Sequence, residues 1–168
     1  MFNLGILTIS DKGWQGERYD ESGQVIRECL TVLDSCVVKY EVIPDEVAVI
    51  AAELTEWADG GSVDVILATG GTGLGQRDVT PEATLSILDK VVPGFAEVMR
   101  AKTFPATPFA ILSRAVAGVR GKCLIINLPG SAKAVRECLE VILPVIPHAM
   151  EIIKGEVTEH IAPDIVRD

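Results

Sequence analysis

The sequence predicts an α/β fold: an open, mostly parallel sheet with helices on both faces and one antiparallel pair. Three observations predict it. Short apolar runs alternate along the chain with stretches whose apolar residues recur at helical spacing. The run Val65-Ile66-Leu67-Ala68 is apolar throughout, as a strand covered on both faces must be, and leads directly into Gly70-Gly71-Thr72-Gly73. Arg120-Gly121-Lys122 is a tight turn into a second such run, Cys123-Leu124-Ile125-Ile126, which supplies the antiparallel pair.

Each element follows from its residues. Leu4 to Ile9 is the first strand, and Ser10-Asp11-Lys12-Gly13 after it reads as a loop rather than a helix start. A helix over Glu21 to Asp34 carries Val25, Ile26, Cys29, Leu30 and Leu33 on one stripe. Val37 to Ile43 alternates less cleanly, because Lys39 and Glu41 sit among apolar neighbours, and reads as an edge or half-exposed strand. Asp45 stands where the next helix needs an N-cap, and that helix runs to about Trp57 through Val47, Ile50 and Leu54. Further helices are expected over Pro81 to Leu88, from Pro93-Gly94 onward, and after Ser131, where Val135, Cys138, Leu139 and Ile142 share a face. Pro144 and Pro147 should kink or restart that last helix, and the tail from Gly155 is expected to fray.

At 168 residues the chain is expected to form one domain, residues 1–168, able to bury about 70% of its unfolded surface. A net charge of −9 argues against a nucleic-acid partner, which needs clustered Lys and Arg, but not against a small anion held by a few amides and a metal. The four cysteines show no metal or CxxC spacing, so buried free thiols are expected, and two distant histidines offer no metal site. The start has neither a basic lead nor a long apolar run. No signal peptide or membrane span is therefore expected, and the expected compartment is cytoplasmic.

The chemistry concentrates in Val63 to Glu82. Gly70, Gly71, Gly73 and Gly75 leave backbone N–H groups uncovered and permit positive φ, so amides can converge on phosphate oxygens at the end of a buried strand. Asp78 could seat Mg²⁺ against those phosphates, and Thr80-Pro81-Glu82 opens a helix, Thr80 as cap and Glu82 at the positive end of the dipole. The loop is neither a P-loop, since Gln76-Arg77 stands where Lys and Ser/Thr belong, nor a dinucleotide fingerprint. The bland alternatives stay open: tight turns for the glycines, a turn-former for Asp78, an N-cap for Asp45. Asn127 to Ser131, with Lys133 behind it, offers a second set of amides, a hydroxyl and a cation, or plain capping by Ser131. Ser113-Arg114 is either a structural ion pair or an anion contact, and Ser10-Asp11 has the same ambiguity. In a parallel sheet the loops after successive strands emerge at one edge, so Ser10, Asp45, Gly70 to Asp78 and Asn127 to Ser131 should share a crevice.

Several motifs occur in fixed order: Thr8-Ile9-Ser10-Asp11, Ile43-Pro44-Asp45, Thr69 to Gly73, Arg77 to Thr84, Pro93-Gly94-Phe95, Leu112-Ser113-Arg114 and Asn127 to Ser131. In these the chain resembles, over almost its whole length, the MogA/MoaB family of molybdenum cofactor biosynthesis proteins, seen also as the N-terminal domain of gephyrin. The resemblance implies a three-layer αβα fold, a homotrimer, and transfer of AMP from Mg-ATP to the phosphate of molybdopterin. It implies that Gly70 to Gly73 hold the nucleotide and that Asp45 and Asp78 are the catalytic, metal-binding acids. Ser10, Asp11, Thr80, Pro81 and Glu82 are further expected at the ligand site. By the same resemblance Ser113, Arg114, Asn127 and Ser131 line the pterin and phosphate side, and Pro129, Gly130 and Lys133 beside them are also expected to contact ligand. A separate protein is expected to insert molybdenum, and a non-catalytic trimeric molybdopterin carrier is the alternative function. The run Ser113 to Gly118 leans toward the MoaB side of the family.

Overall fold

The computed structural model describes residues 1–156. Six strands form one sheet: β1 (Phe2–Ile9), β2 (Ser35–Ile43), β3 (Val65–Thr69), β4 (Lys90–Val91), β5 (Ala117–Arg120) and β6 (Cys123–Leu128), in the order β2-β1-β3-β6-β5-β4. β1 is parallel to β2 and β3, and β3 is parallel to β6. β5 runs antiparallel to β6 through the Arg120 turn, as expected. It is also antiparallel to β4, a two-residue strand absent from the sequence reading, so β5 is the one reversed strand. The edge position of β2 agrees with its mixed residue pattern.

Strand periodicity divides the core into two layers. Leu4, Ile6, Val65, Leu67, Leu124 and Ile126 face one side. They pack there against α2 (Glu21–Cys29), α5 (Pro93–Thr103), α6 (Ala132–Ile142) and α7 (Ile146–Lys154). Leu7, Ile9, Ile66, Ala68 and Ile125 face the other, under α3 (Val47–Asp59) and α4 (Thr80–Leu85), with Trp57 fully buried between them. Every side chain of β3 is buried, the reason its sequence could be apolar without alternation.

Several expectations need correction. Ser10 to Gly13 is no plain loop: the Ser10 hydroxyl accepts from Gly13 N at 3.1 Å and caps a short helix, α1 (Asp11–Trp14). The helix expected to reach Asp34 ends at Cys29, and a 3-10 turn takes Leu30–Val32. Asp45 does not cap α3; Glu46 is the residue before that helix and makes no side-chain cap, while the Asp45 carboxylate accepts from the first amide of α1. Thr80 lies inside α4, and its hydroxyl donates to Gly70 O at 2.8 Å instead of capping. α4 stops at Leu85, short of Leu88. Pro144 and Pro147 do divide the last helix, with a 3-10 turn at Leu143–Val145 before α7. Gly155 closes α7 at φ 75°, and the tail beyond Glu156 lies outside the described residues.

Candidate functional site

The loops after the parallel strands meet at one edge of the sheet and enclose a crevice of about 600 Å³. Ser10, Asp45, Gly70, Gly71, Asp78, Gly130 and Ser131 line it. The loops after β3 and β6 touch: a Cβ on Gly130 would lie 3.4 Å from the Gly70 Cα. Gly70 and Gly71 have φ of 101° and 62°, conformations that side chains rarely adopt, which is why glycine stands at both positions. The amides of Gly71, Thr72 and Gly73 have no hydrogen-bond partner among the described residues. The glycines also make room for acids. A Cβ on Gly71 would stand 3.1 Å from Asp45 Oδ1, and one on Gly75 would stand 2.8 Å from Asp78 Oδ2.

The two acids are held differently. Asp78 Oδ2 accepts from Gly75 N at 2.7 Å, which folds the loop tip back on itself. Asp45 and Asp11 grip one another: Asp11 N donates to Asp45 Oδ2 at 2.8 Å, and Asp45 N donates to Asp11 Oδ1 at 3.0 Å. Arg77 closes the group with a two-pronged bond to Asp11, Nε to Oδ2 and Nη2 to Oδ1, both 2.9 Å. Burial pushes the Asp45 carboxyl above its ordinary value, and the charges of Asp11 and Asp78 push the same way, against the Asp11 amide and Arg77. The Arg77 bond holds Asp11 below its ordinary value, helped by the Asp45 amide.

Other residues named from the sequence lie outside the crevice wall. Asn127 is fully buried; its amide donates to Thr84 Oγ1 at 2.9 Å and its carbonyl accepts from Val116 N, so it braces β5 and α4. Arg114 is spent on the glycine loop, donating to Gly73 O at 2.7 Å, to Asp78 O and to the Glu82 carboxylate. Glu82 is therefore Arg114's partner rather than a free anion at a helix end. Thr72 is buried, and its carbonyl accepts from Arg114 N at 2.9 Å. Thr80 and Pro81 are buried under the loop. Lys133 is exposed on α6 and pairs with Glu137 at 3.8 Å. Ser113 and Pro129 line a neighbouring, mainly apolar pocket of about 240 Å³, which shares Ser131 with the crevice.

The crevice also holds a residue that the sequence reading missed. Asp20 accepts from Thr8 Oγ1 and Tyr40 OH at 2.6 Å, and from Ser22 Oγ and Gly23 N at 2.9 Å. Burial alone would raise its carboxyl, but these bonds outweigh it and hold it below the ordinary value. Its position just before α2 was the available signal, since Asp at an N-cap is common.

The donor set suits a hard cation. Among the described residues no three His, Cys, Asp or Glu side chains are placed to hold a metal, but Asp45 and Asp78 share the crevice and their like charges oppose one another. Mg²⁺ commonly takes one or two carboxylates and completes its shell with phosphate oxygens and water. Among the described residues no helix is long and apolar enough to cross a membrane.

Comparison with known proteins places these features among relatives. Residues 5–148 match the family model described as a probable molybdopterin binding domain. The molybdopterin adenylyltransferase of Helicobacter pylori J99 is 43% identical over 155 residues, covering 91% of this chain and 88% of that protein. The Escherichia coli K12 protein of the same name is 37% identical, covering 97% and 90%. The crystal structure of the molybdopterin biosynthesis enzyme MoaB from Thermus thermophilus superposes with a TM-score of 0.88 at 54% identity, covering 92% of this chain and 98% of that one.

Proposed function

The chain belongs to the probable molybdopterin binding domain family, and from that membership we propose that it is a molybdopterin adenylyltransferase of molybdenum cofactor biosynthesis. ATP and molybdopterin are its substrates. An oxygen of the molybdopterin phosphate attacks the α-phosphorus of ATP, the bond between the α-phosphorus and the bridging oxygen breaks, and pyrophosphate leaves. The observation that carries the reading is the meeting of the Gly70–Gly71 turn, Asp45 and Asp78 in one crevice.

In this reading the unpaired amide of Gly71, on the crevice wall, donates to a phosphate oxygen, and the glycine turn brings backbone rather than side chain against the nucleotide. Asp45 and Asp78 hold Mg²⁺, which would neutralise charge on the transferring phosphate. Ser10, Gly130 and Ser131 complete the wall of the phosphate site. The apolar pocket beside Ser131, with Ser113 and Pro129, takes the flat pterin, so that its phosphate points toward the nucleotide. Residues 1–168 work as one unit, assembled as a homotrimer in the cytoplasm, and a separate protein inserts molybdenum.

Labelled-AMP transfer onto molybdopterin with Mg²⁺ tests this. The parent chain should release pyrophosphate, and Asp78→Asn, whose side-chain oxygen can still accept from Gly75 N, should lose at least about 100-fold in kcat with its thermal midpoint retained. Calorimetry that shows molybdopterin binding without pyrophosphate release would instead establish a carrier. Full turnover by Asp78→Asn would remove Asp78 from the reaction.

A further inference from the structure

Arg77 stands at the tip of the glycine loop, next to Asp78, yet its guanidinium turns away to the loop after β1. It makes the two-pronged bond to Asp11 and lies 4.0 Å from Glu46, in the loop after β2. One side chain thus joins the loops that follow three strands of the parallel sheet. The Arg77 side chain is 60% exposed, and solvent-exposed pairs add little to stability even with good geometry. The fold does not need this bond to hold together, which directs attention to what the bond positions.

Its target is Asp45. Asp11 meets Asp45 through two reciprocal backbone-to-carboxylate bonds of 2.8 and 3.0 Å, so the orientation of Asp11 is the orientation of Asp45. We propose that Arg77 is a positioning residue for adenylyl transfer: by fixing both oxygens of Asp11 it holds the Asp45 carboxylate at the angle the crevice requires, without itself touching substrate. This rests on the adenylyltransferase reading. The planar fork matters, because an ammonium group cannot present two parallel N–H bonds from separate nitrogens to the two Asp11 oxygens. A comparison exists at the far end of the sheet, where Arg120 makes the same two-pronged bond to Asp59 at 2.8 and 2.7 Å, away from the crevice, and donates as well to Ile87 O at 2.9 Å.

The test compares Arg77→Ala, Arg77→Lys and Arg120→Ala in the full chain, with two readouts: amide-proton exchange at Asp11 and Asp45, measured without substrate or metal, and the kinetics of AMP transfer. In Arg77→Ala both amides should exchange at least about tenfold faster. In the same variant kcat should fall at least about tenfold, with KM for molybdopterin within about twofold. Arg77→Lys should restore neither, and Arg120→Ala should match the parent in both. Parent-like exchange in Arg77→Ala, kcat within about twofold of the parent, or equal losses in Arg120→Ala would each overturn the assignment. If the parent itself transfers no AMP, the adenylyltransferase reading fails, and the exchange measurement alone decides whether Arg77 holds Asp45.

Discussion

Replacing Gly71 by alanine probes the turn that shapes the crevice floor. Gly71 sits at φ 62°, which costs an alanine about 1–2 kcal/mol. The new methyl would overlap Thr80 Oγ1, a fully buried hydroxyl that donates to Gly70 O at 2.8 Å. Driving that hydroxyl from its acceptor adds about 1–3 kcal/mol, and a stiffer unfolded chain returns about 0.5 kcal/mol. The sum is about 3 kcal/mol, or a fall in thermal midpoint of about 6–12 °C for a chain of this size. The assay is thermal and denaturant unfolding of Gly71→Ala, Thr80→Ala and the double variant. Because Thr80→Ala removes the atom the methyl meets, the double variant should be at least about 1 kcal/mol more stable than the sum of the single effects. Additivity within about 0.5 kcal/mol would refute the overlap argument, and a shift under about 2 °C for Gly71→Ala would refute the whole account.

Two further predictions concern residues that brace the site. Asp20→Asn keeps the shape but cannot accept from four donors. At neutral pH it should lose about 2 kcal/mol, after allowance for solvent on the crevice side, read from urea midpoints. The Asp20 carboxyl titrates lower in the native state than in the unfolded chain, so its stabilisation is present above about pH 4 and is lost as pH falls through the native value. The gap between parent and variant should therefore close in acid, and a gap that widens there would refute the assignment. Arg114→Met strips the donors from Gly73 O and Asp78 O and leaves Glu82 unpaired, which should cost about 2 kcal/mol and raise KM for ATP several-fold. An unchanged KM with the same loss of stability would confine Arg114 to the fold.

The sheet was legible because burial leaves its mark residue by residue. β3 and β6 are covered on both faces, so Val65 to Ala68 and Cys123 to Ile126 are apolar without interruption, and the mixed pattern of β2 agreed with an edge. The glycine turn was legible for a similar local reason: φ of 101° and 62° at consecutive positions selects glycine strongly enough to read from the chain alone. Strand ends that share one direction then placed Asp45, Asp78 and Ser131 in one crevice before any distance was known.

What only the tertiary structure decided is which partner each polar group takes. Asp45 looked like an N-cap because an Asp before a helix finds an amide nearby, but its carboxylate bonds Asp11, 34 residues away in sequence. Ser113-Arg114 allowed a structural ion pair or an anion contact, and the fold supplies the ion pair, Arg114 with Glu82, together with the carbonyls of Gly73 and Asp78, while Asn127 bonds Thr84 from another element. Asp20 was invisible as a crevice residue because three side chains it holds come from β1, β2 and the start of α2. Backbone conformation and burial are set mainly by a residue's own type and immediate neighbours, and the sequence records them. A hydrogen-bond partner is set by where distant segments pack, and many pairings suit the same donors and acceptors until the fold selects one.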